Sequence, residues 1–215
     1  MPTLALALLL AAAQVTPSAA VKEANDRVRA DITAYLKASG KPREKARAKA
    51  RAAVGELIDF ETLSRATLGK KWDELKAADR KRYETALRSA MEANYLSKME
   101  KGKPGDAEKV KTEILSEEKQ GENTLVKTKV TSGDDSASID YLMAKQAKGY
   151  RAVDVITESV SLAETYREQV GKLLAKKGLD GVIAALEKKR RALEAGSAGS
   201  AGAAPAGEAK PAQTK

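Results

Sequence analysis

The chain of 215 residues has no cysteine and no histidine. Without cysteine there is no disulfide, no thiolate nucleophile and no sulfur-bearing metal site. Without histidine, the commonest general base and metal ligand is missing as well. No glycine-rich phosphate loop, serine-centred nucleophile elbow or metal-ligand cluster can be read along the sequence. Nucleotide-cradling, acyl-serine and metal-dependent chemistries therefore have no carrier, which leaves only carboxylates, lysine and tyrosine for catalysis. Long apolar runs are scarce too. The one conspicuous run, Leu4 to Ala13, is too short for a spanning helix, which needs about 20 residues.

That run has another reading. It is followed by a small-x-small site at Ser18-Ala19-Ala20, and charged sequence begins at Lys22. Residues 1–20 are expected to be a secretory signal peptide cut near Ala20, although the segment before the apolar run has no lysine or arginine. No cysteine follows the cut, so a bacterial lipid anchor is excluded. An exported chain without disulfides suits the bacterial periplasm. Residues 195–215 are rich in Gly, Ala, Ser and Pro with almost no large apolar side chain, and are expected to be a disordered tail. Residues 21–194 remain as one domain with a sizeable core.

The formal net charge is +9. From Lys37 to Arg51 there are seven basic residues (Lys37, Lys41, Arg43, Lys45, Arg47, Lys49 and Arg51) against one acid, Glu44. A second basic run is Lys188, Lys189, Arg190 and Arg191. Both lie in helix-like sequence, where a solvated face is the plain explanation. Contact with anionic headgroups or an acidic partner surface is the sharper one.

Helical patterns cover 22–38, with Val28, Ile32, Tyr35 and Leu36 on one side, and 43–57, ending in Val54 and Leu57. In 58–75, Asp59 is placed to cap a short helix whose face is Phe60, Leu63, Thr67 and Leu68, and Gly69 to end it. The lone tryptophan, Trp72, falls in the connection as a buried corner. Ser64 and Arg65 point away from the Phe60–Leu63 stripe and are expected at the surface. Residues 77–100 form the clearest helix, with Tyr83, Leu87, Met91 and Tyr95 recurring every four residues. The period then changes to two. Strands are expected over 108–118, 123–131, 136–146 and 149–157 in an antiparallel meander. One apolar face carries Val126, Thr128 and Val130, then Ala137, Ile139, Tyr141 and Met143, then Val153 and Val155. Two helices, 162–176 and 179–193, close the domain. The order helices, sheet, helices gives an α+β fold with helices packed over one face of a four-strand antiparallel sheet.

Paired carboxylates do not amount to a site. Glu117-Glu118 and Asp134-Asp135 are sequence neighbours, which on a strand point to opposite faces. Tyr141 with Asp154 is the one tyrosine–carboxylate pair an enzyme on this fold could use, and their strand parity is unhelpful.

Three separated motifs, in order, resemble one family. "DFETLSRATLGKKW" is similar to a D-F-x-x-L-[ST]-R-x-x-L-G-x-x-W signature. "DRKRYETALRSAMEANYLSKME" is similar to the family's aromatic-rich helix. "GYRAVDVITESVSLAETYREQV" is similar to G-[WY]-[KR]-x-x-D-V-x-x-x-x-x-S-L-x-x-x-Y-R-x-Q. Together they resemble the MlaC family of periplasmic phospholipid-binding proteins, also called toluene-tolerance auxiliary proteins, across about residues 22–190. The departures are Tyr150, where Trp is frequent, and Glu158-Ser159.

The resemblance implies a monomeric, non-enzymatic carrier shuttling phospholipid between an outer-membrane lipoprotein complex and an inner-membrane ABC transporter. Its only bound molecule would be the cargo, with no cofactor, no metal and no nucleic acid. It also implies an NTF2-like cone of helices over a twisted sheet, with an apolar cavity between. The inward apolar positions nominated for its wall are Val54, Leu57, Phe60, Leu63, Leu68, Tyr83, Leu87, Met91, Tyr95, Val130, Ile139, Tyr141, Val153 and Val155. The rivals are a small-molecule enzyme using Tyr and Asp, and a nucleic-acid binder using the Lys37–Arg51 helix, whose affinity would fall steeply with salt.

Overall fold

A computed structural model of the chain describes residues 15–99 and 105–195. The expected leader up to residue 14, and the tail beyond residue 195, lie outside the described residues. Helix α1 spans Pro17–Lys37, so the residues just before the expected cut belong to its first turn. The start is specified locally. The Thr16 hydroxyl accepts from the Ala19 N–H at 3.1 Å, and Pro17 occupies the first turn, where its missing N–H costs nothing. Val21, Val28, Ile32, Tyr35 and Leu36 form the buried face.

Helix α2, Gly40–Leu57, returns along α1 and buries only small residues, Ala50, Ala53 and Gly55. Helix α3, Phe60–Leu68, begins as expected. The Asp59 carboxylate accepts from the Thr62 N–H at 3.1 Å, and Gly69, with φ of 55°, ends the helix. The short α4, Lys71–Glu74, carries Trp72 into the core at 2 % exposure. Helix α5 is Ala77–Met99 and α6 is Asp106–Lys109.

Strands β1 (Val110–Gln120), β2 (Asn123–Ser132), β3 (Asp135–Gln146) and β4 (Gly149–Thr157) form the meander. A two-residue β5, Val160–Ser161, makes the sheet five-stranded rather than four-stranded, in the order β1-β2-β3-β4-β5 with every pair antiparallel. Helix α7, Leu162–Glu194, is both expected closing helices in one element, broken at Gly178 with φ of 64°. No helix among the described residues is long and apolar enough to cross a membrane.

One face assignment changes. Leu142 pairs with Asp154 but Met143 pairs with Ala152, so Val153 is an extra residue at a β-bulge. Ala152 and Val155, opposite Met143 and Tyr141, therefore share the core face, and Val153 leaves the alternation that the sequence suggests. Helix α1 lies across β1, β2 and β4, while α3, α5 and α7 pack together and reach β4. The α2–α3 junction is pinned to β4. Asp59 N–H donates to the Ala152 carbonyl at 2.8 Å, and the Arg151 guanidinium donates to the carbonyls of Gly55 at 3.0 Å and Ile58 at 2.7 Å.

Candidate functional site

The interior divides into three apolar clusters. The helical cluster joins Phe60, Leu63, Leu68 and Trp72 to Tyr83, Leu87 and Met91 of α5 and to Tyr166, Val170, Val182, Ile183 and Leu186 of α7. The second joins Val28, Ile32, Tyr35 and Leu36 of α1 to Ala50, Ala53, Leu96 and Ala107, with Val54 and Tyr95 partly buried against it. The third lies between α1 and the sheet: Val21, Val126, Tyr141, Met143 and Ala152, with Leu57, Ile114 and Ile139 at its margin. Val155 is partly buried against both the first and the third cluster. It touches both the helical core and the sheet face, which also meet at the β-bridge between Ile58 and Ala152.

The fourteen nominated residues are thus dispersed. Phe60, Leu63, Leu68, Tyr83, Leu87 and Met91 share the helical cluster; Val54 and Tyr95 border the second; Leu57, Ile139 and Tyr141 belong to the third. Val153 is buried at the bulge, and Val130 is half-buried between Thr112 and Ala137; neither joins a cluster. The α1 and sheet contributors Val21 and Ala152 are not among the fourteen. Val21 lies at the expected leader's edge, and only the bulge turns Ala152 inward.

Polar groups punctuate this interior. The hydroxyls of Thr67 and Tyr83 are 2.7 Å apart. Tyr141 donates to the Asn25 side-chain oxygen at 3.1 Å, while the Asn25 amide nitrogen is buried without a partner. Burial pushes the hydroxyls of Tyr83, Tyr95 and Tyr141 above the usual tyrosine range and that of Tyr166 up to about 12. The Tyr166 hydroxyl has no partner. Ser64 is wholly buried, against expectation. The reason is that α3 is covered on two sides, by α5 and by α7, so the flank away from the Phe60–Leu63 stripe is also inside.

Among the described residues one charge is buried. Glu92 is 5 % exposed. It accepts from Arg88 Nε at 2.8 Å and lies 3.4 Å from Arg51 Nε. Arg51 also reaches Glu194 at 2.5 Å, and Arg190 meets the same carboxylate at 2.5 Å. This chain of ion pairs ties α2 to α5 and α7. The sequence shows the charges, but not that three helices bring them together.

Two hollows among the described residues are open and partly polar. One lies between α1 and α2, bordered by Arg27, Asp31, Lys49 and Glu56; the other lies on the sheet beside Leu115, Lys129, Ser136 and Glu158. Between helices and sheet the apolar side chains gather in the three clusters. Tyr141 and Asp154 do not form a catalytic pair. The Asp154 carboxylate is engaged by the N–H groups of Val155 at 2.8 Å and Ala163 at 3.0 Å and by the Ser161 hydroxyl at 2.6 Å, holding the β4–α7 corner.

Comparison with known proteins gives two findings. A family model described as "MlaC protein" matches residues 22–188. A solved structure of a phospholipid-binding protein from Ralstonia solanacearum, in complex with a phospholipid, is similar in fold. Its TM-score is 0.69 at 19 % identity, covering 85 % of this chain and 99 % of that one. No curated protein matches the sequence.

Proposed function

We propose a function from one premise: the chain belongs to the MlaC family, whose members are periplasmic lipid carriers rather than enzymes. It carries phospholipid through the periplasm, between an outer-membrane lipoprotein complex and an inner-membrane ABC transporter, as an exported protein freed of its leader. The acyl chains lie along the seam between the helical cluster and the α1–sheet cluster. The observation that carries this reading is Val155, the half-buried contact shared by two apolar clusters. Parting that seam would expose aliphatic, Met and Tyr side chains on both walls. The similar Ralstonia protein, which holds a phospholipid, supports the same reading.

The energetics require such a seam. Each methylene left in water costs about 0.8 kcal/mol. Two acyl chains of about sixteen carbons would then cost on the order of 25 kcal/mol in free solution. Seated between apolar walls they lose little relative to the bilayer, so transfer needs no cofactor and no nucleotide site in this chain. Flexible Met91 and Met143 fit walls that meet varied chains.

The test is native mass spectrometry with organic extraction, on mature protein purified without detergent from a bacterial periplasm. Co-purification of phospholipid at near one molecule per chain is the expected result. A lipid-free protein that also takes no lipid from vesicles would overturn the proposal.

A further inference from the structure

The two basic runs, about 140 residues apart in the sequence, meet in the fold. Glu194, at the end of α7, is held by Arg51 of α2 and Arg190 of α7, both at 2.5 Å. Burial alone would raise the Glu194 pKa. The hydrogen bond from Arg51 and the charges of Arg190, Arg51 and Arg47 outweigh it and keep the carboxyl below its ordinary value. Three guanidinium groups thus lie near this carboxylate, and one of them, Arg51, is shared with Glu92. Around this point lie more cations. Lys188 and Arg191 are exposed on α7. Lys189 and Lys98 are near enough that Lys98, after burial, lowers the Lys189 pKa.

Helix α2 adds further cations. Lys41, Lys45 and Lys49 follow one another at four-residue spacing and are all exposed, Lys49 at the rim of the hollow between α1 and α2 that Asp31 and Glu56 also border. Among the described residues, none of the three lysines has an ion-pair partner, whereas Arg27, Lys37 and Arg51 each do. Like charges four apart on a helix repel, a cost that an external anion would relieve. The exposed neighbours are Ala48 and Ala52, with two acids, Glu44 and Glu56, the latter paired with Arg27. No large apolar side chain projects from this side of α2.

We propose that α2 and the C-terminal half of α7 form a docking surface for an anionic phospholipid bilayer. The surface extends the carrier reading by giving the carrier a place to rest on the membrane it serves. A stripe of lysine and alanine has no large apolar side chain to fill a pocket on a protein partner. Laterally mobile anionic lipids, by contrast, can gather under any cation spacing. Lacking Trp, Phe or Leu, the stripe seats on the headgroups without inserting. Such binding is reversible, as a shuttle requires.

Vesicle co-flotation of the full-length mature protein tests this, with phosphatidylcholine vesicles prepared with and without phosphatidylglycerol. The wild type is expected to float only with the anionic vesicles, and to dissociate as salt is raised. Each lysine contributes roughly a fivefold factor in partitioning, so Lys41→Gln/Lys45→Gln/Lys49→Gln weakens it about a hundredfold. The three positions are exposed, and an unchanged thermal melt confirms the variant's fold. Equal binding to both vesicles, salt-insensitive binding, or a variant that floats like wild type would overturn the proposal. So would failure to float alongside salt-sensitive capture by an acidic protein. The phospholipid content of the same preparations separates the two readings. A lipid-free protein that still floats on anionic vesicles sinks carriage and keeps docking; a lipid-loaded protein that does not float does the reverse.

Discussion

Gly55→Ala sets two effects of opposite sign against each other, and the packing around α2 decides between them. An alanine in a helix interior is favoured over glycine by about 1 kcal/mol. A methyl group at Gly55, however, would lie 2.3 Å from Arg88 Nη2 and 2.7 Å from Glu92 Oε1. Both must retreat by about an ångström to reach normal contact. The Arg88 side chain, 41 % exposed, can swing into solvent; the Glu92 side chain, 7 % exposed, cannot follow. The pair therefore separates, leaving Glu92 with Arg51 at 3.4 Å. A charge-assisted hydrogen bond of about 1.5–3 kcal/mol is lost. The Arg88 guanidinium also leaves the Phe60 ring, 5.3 Å away, which forfeits about 0.5–1 kcal/mol. The net expectation is destabilisation by about 1–3 kcal/mol.

Gly171 of α7 is the matched control. It is an exposed helical glycine, and a methyl group added there would meet nothing within 4 Å. Gly171→Ala should stabilise by about 0.5–1 kcal/mol. Equilibrium urea unfolding of both variants at neutral pH reads the two signs directly. If Gly55→Ala is as stabilising as Gly171→Ala, the Arg88–Glu92 pair adds nothing to stability and the close fit of α2 against it is unimportant.

Three further outcomes follow from the buried tyrosines and the seam. Tyr166→Phe removes a hydroxyl that has no partner and should stabilise by up to about 1 kcal/mol, whereas Tyr83→Phe loses its bond to Thr67 and should destabilise by a similar amount; urea melts that rank the two the other way would refute the assignment. Tyr83, Tyr95, Tyr141 and Tyr166 all hold their protons above the ordinary tyrosine value of 10.0. The unfolded chain therefore releases protons that the folded chain keeps, so the stability present below pH 10 falls as pH rises through the folded-state values, by about 1.4 kcal/mol per pH unit for each tyrosine. Unfolding free energies that stay flat at alkaline pH would contradict this. Val155→Phe should wedge the seam, lowering phospholipid per folded chain several-fold at a cost in stability of about 1–3 kcal/mol; phosphorus analysis beside a thermal melt checks it, and unchanged cargo would place the acyl chains elsewhere.

What the sequence made legible is what local spacing determines. The Asp59 cap, the stop at Gly69 and the four-residue stripe of α5 are set by neighbours within a turn or two, and the structure has each of them. The four long strands follow from alternation in the same way. The misreadings share a different origin. Val153 and Ala152 exchange faces because β3 and β4 slip by one residue at Leu142 and Met143, a property of the pair and not of either strand. Ser64 is buried because a second helix covers the flank that a one-sided amphipathic pattern assigns to water.

The same distinction governs the charges. Arg51, Arg88 and Glu92 look like ordinary solvated residues on two helices, and Glu194 like the start of the tail. Only the meeting of α2, α5 and α7 makes them one connected chain of ion pairs. That chain has a structural consequence. Helix α2 fully buries nothing larger than alanine, at Ala50, Ala53 and Gly55, and its Val54 and Leu57 are only partly buried, so its apolar hold is modest. Its position depends on Arg51, on the pinning of the Gly55 and Ile58 carbonyls by Arg151, and on the close approach that the missing side chain at Gly55 permits. An element held by charge and hydrogen bonds can be released by a competing anion without exposing a large apolar surface. The Gly55→Ala measurement therefore bears on more than one glycine. A loss of about 1–3 kcal/mol would show that the seating of α2 depends on the close fit of Gly55 against the Arg88–Glu92 pair of α5, and no loss would leave that seating to the Ala50 and Ala53 contacts with α1.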